Sequence, residues 1–246
     1  MLMEGELSLV QVLLLALLPT LGTVLGVLLA EWRRPPEWLT GGALHMAAGL
    51  ATAVAAIELI PRSQDRTETW IIAIALLVGA CVSLGFYRIS LRMQGGANGH
   101  SLIWGAYTAI AIDLFSDGLM TGGGSAVEGD LGVLLAASQV VGNLPGGFAI
   151  TAGFRHAGFD RDKRLKAALS YAIVPVIGAA VGFLALNGAG DMLTGFVLAL
   201  FAGLLITATV EDLVPEADQP GAPRHISSPS FAVGFVLLLL MSAYLA

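Results

Sequence analysis

Long apolar runs alternate with short polar breaks along the chain. The runs fall at about 8–30, 40–61, 69–91, 101–125, 131–154, 166–187, 192–216 and 229–246. Each has roughly 17–25 residues, enough for a helix to cross the hydrocarbon core of a bilayer. The breaks, at 33–36, 62–68, 94–100, 128–130, 155–166, 187–191 and 215–229, carry charge, Gly or Pro. Glu4 and Glu6 precede the first run, which has neither the basic flank nor the short core of a signal peptide. It is therefore expected as a retained helix. The pattern predicts a single all-α membrane domain over 1–246, a bundle of eight transmembrane helices.

Composition agrees. The chain is 56% hydrophobic and 12% charged, with mean hydropathy +0.81, where a soluble domain carries roughly 25% charged residues. Eight crossings put Arg33, Arg34, Arg88, Arg92, Arg155, Arg161, Lys163, Arg164, Lys166 and Arg224 on one side, and Arg62 and Arg66 on the other. The positive-inside rule then places the basic loops in the cytoplasm and both termini outside, with the cytoplasmic (inner) membrane as the expected location. Trp32, Trp38, Trp70 and Trp104 lie near run ends, where an indole suits the interface. The single cysteine, Cys81, excludes an internal disulfide and a thiolate cluster. No basic stripe or nucleic-acid motif occurs, so no nucleic-acid partner is expected.

The second run ends Glu58-Leu59-Ile60-Pro61 and the seventh ends Asp212-Leu213-Val214-Pro215-Glu216. Five crossings apart, the two copies run in opposite directions, as in the inverted repeats of secondary transporters. The fourth run holds Asp113 and Asp117, four apart and so on one helix face. A carboxylate at mid-bilayer costs roughly 2.5–3.5 kcal/mol, and two on one face repel unless a cation, a proton or a basic partner relieves them. No Lys or Arg occupies the centre of a run, which leaves a bound cation or protonation. The bland alternative is a pair of protonated acids hydrogen-bonded inside the bundle.

The fifth run offers Gln139 and Asn143 one turn apart, then Pro145, which frees a backbone carbonyl near position 141. Gly142, Gly146 and Gly147 are expected to admit a neighbouring helix; without a ligand role this is simply a proline kink packed on glycine. Glu58, and the pair Glu211 and Asp212, sit near run ends. By position they are interfacial carboxylates, or, with Glu216, relay and exit ligands on an ion path. His45 and His100 read as interfacial, His156 and His225 as loop residues. No nucleophile–base constellation appears, so an enzyme is not expected.

At these residues the chain resembles the ZIP (Zrt/Irt-like) family of divalent metal transporters. That family has a His-Asn-x-Pro-Glu-Gly motif in span 4, a related His/Gln-Glu/Asp-x-Pro-Glu-Gly motif in span 5, and an acidic-x-x-Pro-Glu segment in span 7. Here the first reads Asp113-Leu114-Phe115-Ser116-Asp117-Gly118, the second Gly142-Asn143-Leu144-Pro145-Gly146-Gly147, and the third Asp212-Leu213-Val214-Pro215-Glu216. Asp113 stands for the family's first metal-binding His and Asp117 for its Glu. Gly142 and Gly146 replace two span 5 ligands, so one metal site of Asp113, Asp117 and Asn143 is implied rather than a pair. Its oxygen-only donors lean towards Mn²⁺, Mg²⁺ or Fe²⁺ over Zn²⁺.

The resemblance implies a 3+2+3 arrangement, with spans 1–3 and 6–8 as inverted repeats around spans 4 and 5. It implies transport of a Zn/Fe/Mn-class cation by alternating access, the metal being substrate and not cofactor. Two other readings stay open: a proton-coupled carrier of another small solute, and a ZIP-like protein that no longer transports. Expected partners are the cation and the lipid bilayer, with a homodimer as an open option.

Overall fold

The computed structural model describes residues 7–33, 36–94, 99–156, 158–218 and 223–245. Among them the regular elements are all helices. Seven stretches among the described residues are long and apolar enough to cross a membrane. Span 1 is Leu9–Trp32, span 2 Glu37–Gln64, span 6 Arg161–Leu186 and span 7 Asp191–Asp218. Span 3 lies in the helix Thr69–Gln94, span 5 in Gly129–His156 and span 8 in Arg224–Leu245. Between spans 3 and 5 runs a further helix of 29 residues, Gly99–Val127, here span 4. Arg34 and the stretch with Glu4 and Glu6 lie outside the described residues, as do the side chains of His100, Trp104 and His156. Trp32, Trp38 and Trp70 are exposed at helix ends.

Local sequence sets where the helices bend. Span 1 breaks at Ala16–Leu17, just before Pro19, and span 6 at Tyr171–Ala172, before Pro175. A proline lacks the N–H that would continue the ladder, so the turn before it loosens. Spans 2 and 7 each contain a π-helical segment, Val54–Leu59 and Thr209–Leu213. Each gives way to a short α-helix with a proline in its first turn, Ile60–Gln64 and Val214–Asp218. The acidic-Leu-β-branched-Pro stretches at 58–61 and 212–215 straddle these junctions. π-Bulges of this kind occur frequently at functional sites.

Glycine governs the packing, as expected where helices associate without a hydrophobic driving force. Span 1 lays Gly22 and Gly26 on the backbone of Val140 and Leu144 of span 5. Span 6 lays Gly178 and Gly182 on Phe115 and Leu119 of span 4. The spacing Pro-x2-Gly-x3-Gly is identical in both, from Pro19 and from Pro175. Gly79 of span 3 meets Leu200 of span 7, whose Gly203 meets Leu76; Gly234 of span 8 meets Met46 of span 2, whose Gly49 meets Phe231. The closest helix pairs are thus 1 with 5, 4 with 6, 3 with 7 and 2 with 8, and spans 4 and 5 also pack on each other.

Between the group 1, 4, 5, 6 and the group 2, 3, 7, 8 lies the largest apolar cluster. Leu131, Leu134 and Leu135 of span 5 and Met120 of span 4 meet Leu50, Val54 and Leu59 of span 2 and Leu198 and Phe201 of span 7. These residues fill the half of the interface nearest the 2–3, 4–5 and 6–7 connections. An ion-pair network caps that half. Arg62 pairs with the buried Glu58 and lies 3.0 Å from Glu128, while Arg66 reaches Glu128 at 3.3 Å and Asp191 at 3.2 Å. At the opposite end, Glu31 of span 1 takes Arg164 at 2.5 Å and Arg155 at 3.1 Å, a network inside the first group.

Candidate metal centre

Span 4 brings Asp113 and Asp117 to one flank, one turn apart, near the midpoint of its 29 residues. Asp117 is buried, and Leu114 on the next flank is fully enclosed against Val27, Ile150 and Tyr171. That packing fixes the rotation of the helix and so the direction of both carboxylates. Asn143 of span 5 donates its Nδ2 to Asp117 Oδ2 at 2.6 Å and to the Pro19 carbonyl at 3.4 Å. Spans 1, 4 and 5 therefore meet at one amide.

Gln139, one turn earlier, is committed elsewhere. Its Nε2 donates to the Asp117 backbone carbonyl at 3.2 Å and its Oε1 accepts from Thr121 at 2.8 Å. Both ends of this amide brace span 5 to span 4, leaving it the role of a strut.

Across the group interface, Asp212 and Glu216 of span 7 lie close enough to Asp113 for their charges to bear on it, and Asp113 bears in turn on Asp117. Asp113 and Asp212 are exposed although Asp113 sits at mid-helix. An exposed group at that depth faces an opening rather than packed protein. Gly142 and Gly146, on either side of Asn143 in the sequence, are open as well: a side-chain carbon at either would meet no heavy atom within 4 Å. The expectation that all three span 5 glycines admit a neighbouring helix therefore holds for Gly147, which rests on Thr23 and Val27 of span 1, and not for Gly142 or Gly146. The reason is rotational. Gly147 shares the span 1 flank with Val140 and Leu144, while Gly142 and Gly146 follow Leu135 by two and three helical turns and face the other group.

The remaining expected ligands lie apart. Glu58 is on the sealed side of the apolar cluster, 1% exposed, with one carboxylate oxygen on Arg62 and the other without a hydrogen-bond partner. Glu211 is exposed beside Asp212. His45, which sequence position made merely interfacial, is buried. Its Nδ1 donates to the Gly41 carbonyl at 2.8 Å and its Nε2 stands 3.4 Å from Asp218 Oδ1, joining spans 2 and 7. Among the described residues no three His, Cys, Asp or Glu side chains converge tightly enough to hold one ion.

What the site offers is a buried carboxylate held by an amide, an exposed carboxylate one turn away at an opening between the helix groups, two further carboxylates on span 7 near it, and no Lys or Arg paired with Asp113 or Asp117 among the described residues. Such a cleft attracts cations.

No protein-family profile matches the chain. A zinc transporter, ZupT, of Corynebacterium aurimucosum is 25% identical to it over 252 residues, covering 93% of this chain and 95% of that protein. With the apolar helices, this end-to-end similarity marks a multi-pass membrane protein.

Proposed function

We propose that the chain moves a divalent metal cation across the cytoplasmic membrane by alternating access, with Asp113, Asp117 and Asn143 at the centre of the path and Asp212 and Glu216 on its far wall. The observation that carries this is the pair of mid-helix carboxylates, Asp113 exposed and Asp117 buried beside it, neither paired with an arginine or lysine among the described residues. Intramembrane acids so placed mark ion pathways. The similarity along the whole chain to a zinc transporter supports the same class of cargo, and a carrier rather than an enzyme.

The packing supports a 3+2+3 reading, spans 1–3 against 6–8. Exchanging 1 with 6, 2 with 7, 3 with 8 and 4 with 5 turns each close helix pair into another close pair. The repeated Pro-x2-Gly-x3-Gly spacing and the twin π-helical segments follow the same exchange. With both termini extracytoplasmic, as the basic residues favour, the apolar cluster and the Glu128 ion pairs close the outer half. The cleft at Asp113, Asp212 and Glu216 then opens to the cytoplasm.

Purified protein in liposomes tests the proposal. Mn²⁺, Fe²⁺ or Zn²⁺ flux that is saturable and lost in Asp117→Asn is expected, and liposomes as tight as empty ones overturn it. One observation favours a second reading. Asn143 turns its nitrogen, not its oxygen, towards Asp117, an arrangement that also suits a proton site. Metal-independent, proton-linked solute flux would favour that reading.

A further inference from the structure

Most glycines at the helix contacts of this bundle touch another backbone, so their lack of a side chain is explained by packing. Gly142 and Gly146 are different. They lie one turn apart on the span 5 flank that carries Leu135, the flank turned to spans 2 and 7. Where Leu131 and Leu135 fill that interface, Gly142 and Gly146 leave it empty, with nothing within 4 Å of where a side chain would begin. Beside this bare stretch of backbone is Asn143, on the neighbouring flank; Asp212 and Glu216 belong to span 7, close enough to Asp113 for their charges to bear on it.

The donors around this space are all oxygens or amide, and they are spread out. No three acidic, His or Cys side chains among the described residues close on a single point. Zn²⁺ is bound in the opposite way, by four tetrahedral contacts rich in nitrogen and sulfur at about 2.0–2.3 Å. A cation touched by only one or two carboxylates keeps most of its water, and that is how Mg²⁺, which dehydrates reluctantly, is usually held. Carboxylates standing further off then accept hydrogen bonds from the bound waters at little loss.

We infer that this site takes its cation with much of the hydration shell in place: the open space at Gly142 and Gly146 holds water, Asp113 and Asp117 are inner contacts, and Asp212 and Glu216 receive the shell. The cargo class is a hydrated divalent ion of the magnesium kind rather than a stripped zinc ion. The inference rests on the reading that the cleft binds a cation at all.

Hexaamminecobalt(III) separates the two. Its ammine ligands do not exchange, so it occupies a site only through its outer shell. The full-length protein is heated with Mg²⁺, Mn²⁺, Zn²⁺ or hexaamminecobalt(III), and its unfolding midpoint is followed. Hexaamminecobalt(III) is expected to raise the midpoint, and at about ten times its Kd to weaken apparent Mg²⁺ affinity about tenfold; both effects should vanish in Asp113→Asn/Asp117→Asn. Stabilisation by Zn²⁺ or Mn²⁺ with no effect of hexaamminecobalt(III) overturns the inference and leaves the cation site standing. Stabilisation by none of the four overturns the site itself. Gly146→Glu puts a carboxylate into the open space and should raise Zn²⁺ affinity about tenfold or more. An unchanged Zn²⁺ affinity in that variant, in protein that folds normally, counts against the space being open to the ion.

Discussion

Asn143 Nδ2 stands 2.6 Å from Asp117 Oδ2, a hydrogen bond from the middle of span 5 to the middle of span 4. Its direction matters. The amide presents its donor to the carboxylate, so its oxygen becomes a cation ligand only if the amide rotates or the cation lies beyond Asp117. A hydrogen bond to a charged group contributes about 1.5–3 kcal/mol. Asn143→Leu is therefore expected to destabilise the protein by about that amount and to lower flux. Asn143→Asp should cost more in the absence of metal, because it places a third charge beside Asp117, and should recover stability as divalent cation is added. Thermal unfolding with and without Mn²⁺ measures both.

Asp113 and Asp117 differ in surroundings, and that predicts different responses. Asp117 is enclosed and hydrogen-bonded; Asp113 faces the cleft. In Asp117→Asn the new amide meets the Asn143 amide, donor against donor, until one of them turns. Asp113→Asn has no such conflict. Both should abolish cation-dependent stabilisation, which for wild type at a hundred times Kd amounts to about 2.7 kcal/mol. Without cation, Asp113→Asn should be as stable as wild type or more so, since it relieves repulsion from Asp212 and Glu216. A denaturation series on the metal-free proteins decides this.

The sequence made the helices legible because a lipid-crossing helix needs a long apolar run and nothing else supplies one. Asp113, Asp117 and Asn143 could be picked out because polar residues at mid-run are costly and need a reason. The likeness of 58–61 to 212–215 pointed to paired features, and the π-helical segments lie there. What could not be read was rotation. Gln139 looked like a ligand because it shares a face with Asn143, but Thr121 and the Asp117 carbonyl occupy its amide. Gly142 and Gly146 looked like packing glycines because Gly147 is one, and no periodicity says which flank has a neighbour. The partners of Glu58 and Glu128 were hidden for a similar reason: Arg62 and Arg66 counted only as loop charges for orientation, without a direction in space.

The glycines give a prediction that depends on geometry alone. Gly22→Ala and Gly178→Ala would press a methyl group onto backbone carbonyls of spans 5 and 4. Backbone cannot turn aside as a side chain can, so each should destabilise by about 1–3 kcal/mol. Gly142→Ala and Gly146→Ala meet open space and should lose no stability, gaining up to about 1 kcal/mol from helix propensity. Four single variants compared by unfolding in one detergent provide the check, and equal losses in all four would contradict the packing described above.

The proposed orientation rests on the twelve basic residues and is open to labelling. Ser8 and Asp162 are both exposed and lie at opposite ends of the bundle by chain order. In a Cys81→Ser background, Ser8→Cys in intact cells should react with a membrane-impermeant maleimide. Asp162→Cys should react only after the cells are opened. The reverse pattern would place the cleft at Asp113 and Asp212 on the outside.

Glu128 supplies the last prediction. Among the described ion pairs, its contacts with Arg62 and Arg66 are the ones that join spans 4 and 5 to the group of spans 2, 3, 7 and 8. The Glu31 network, in contrast, stays within the first group. If the groups move against each other during transport, the Glu128 pairs must break and the Glu31 pairs need not. Glu128 is partly exposed, with a side-chain relative accessibility of 44%, so each pair is worth only about 0.2–1 kcal/mol. Glu128→Gln should accordingly cost little global stability and yet shift the balance between closed and open states severalfold, since both pairs act on that one balance. Spin labels at Asp65→Cys and Asp130→Cys in a Cys81→Ser background report the separation across the seam. The expected result is a longer-distance population that grows in Glu128→Gln and, for wild type, grows with salt as screening weakens the pairs. Glu31→Gln should leave that distance unchanged while lowering the unfolding midpoint, because Glu31 is 5% exposed and its loss strands two arginines. A distance distribution that Glu128→Gln does not alter would mean the seam is held by the apolar cluster of Leu131, Leu135, Val54 and Leu198 alone.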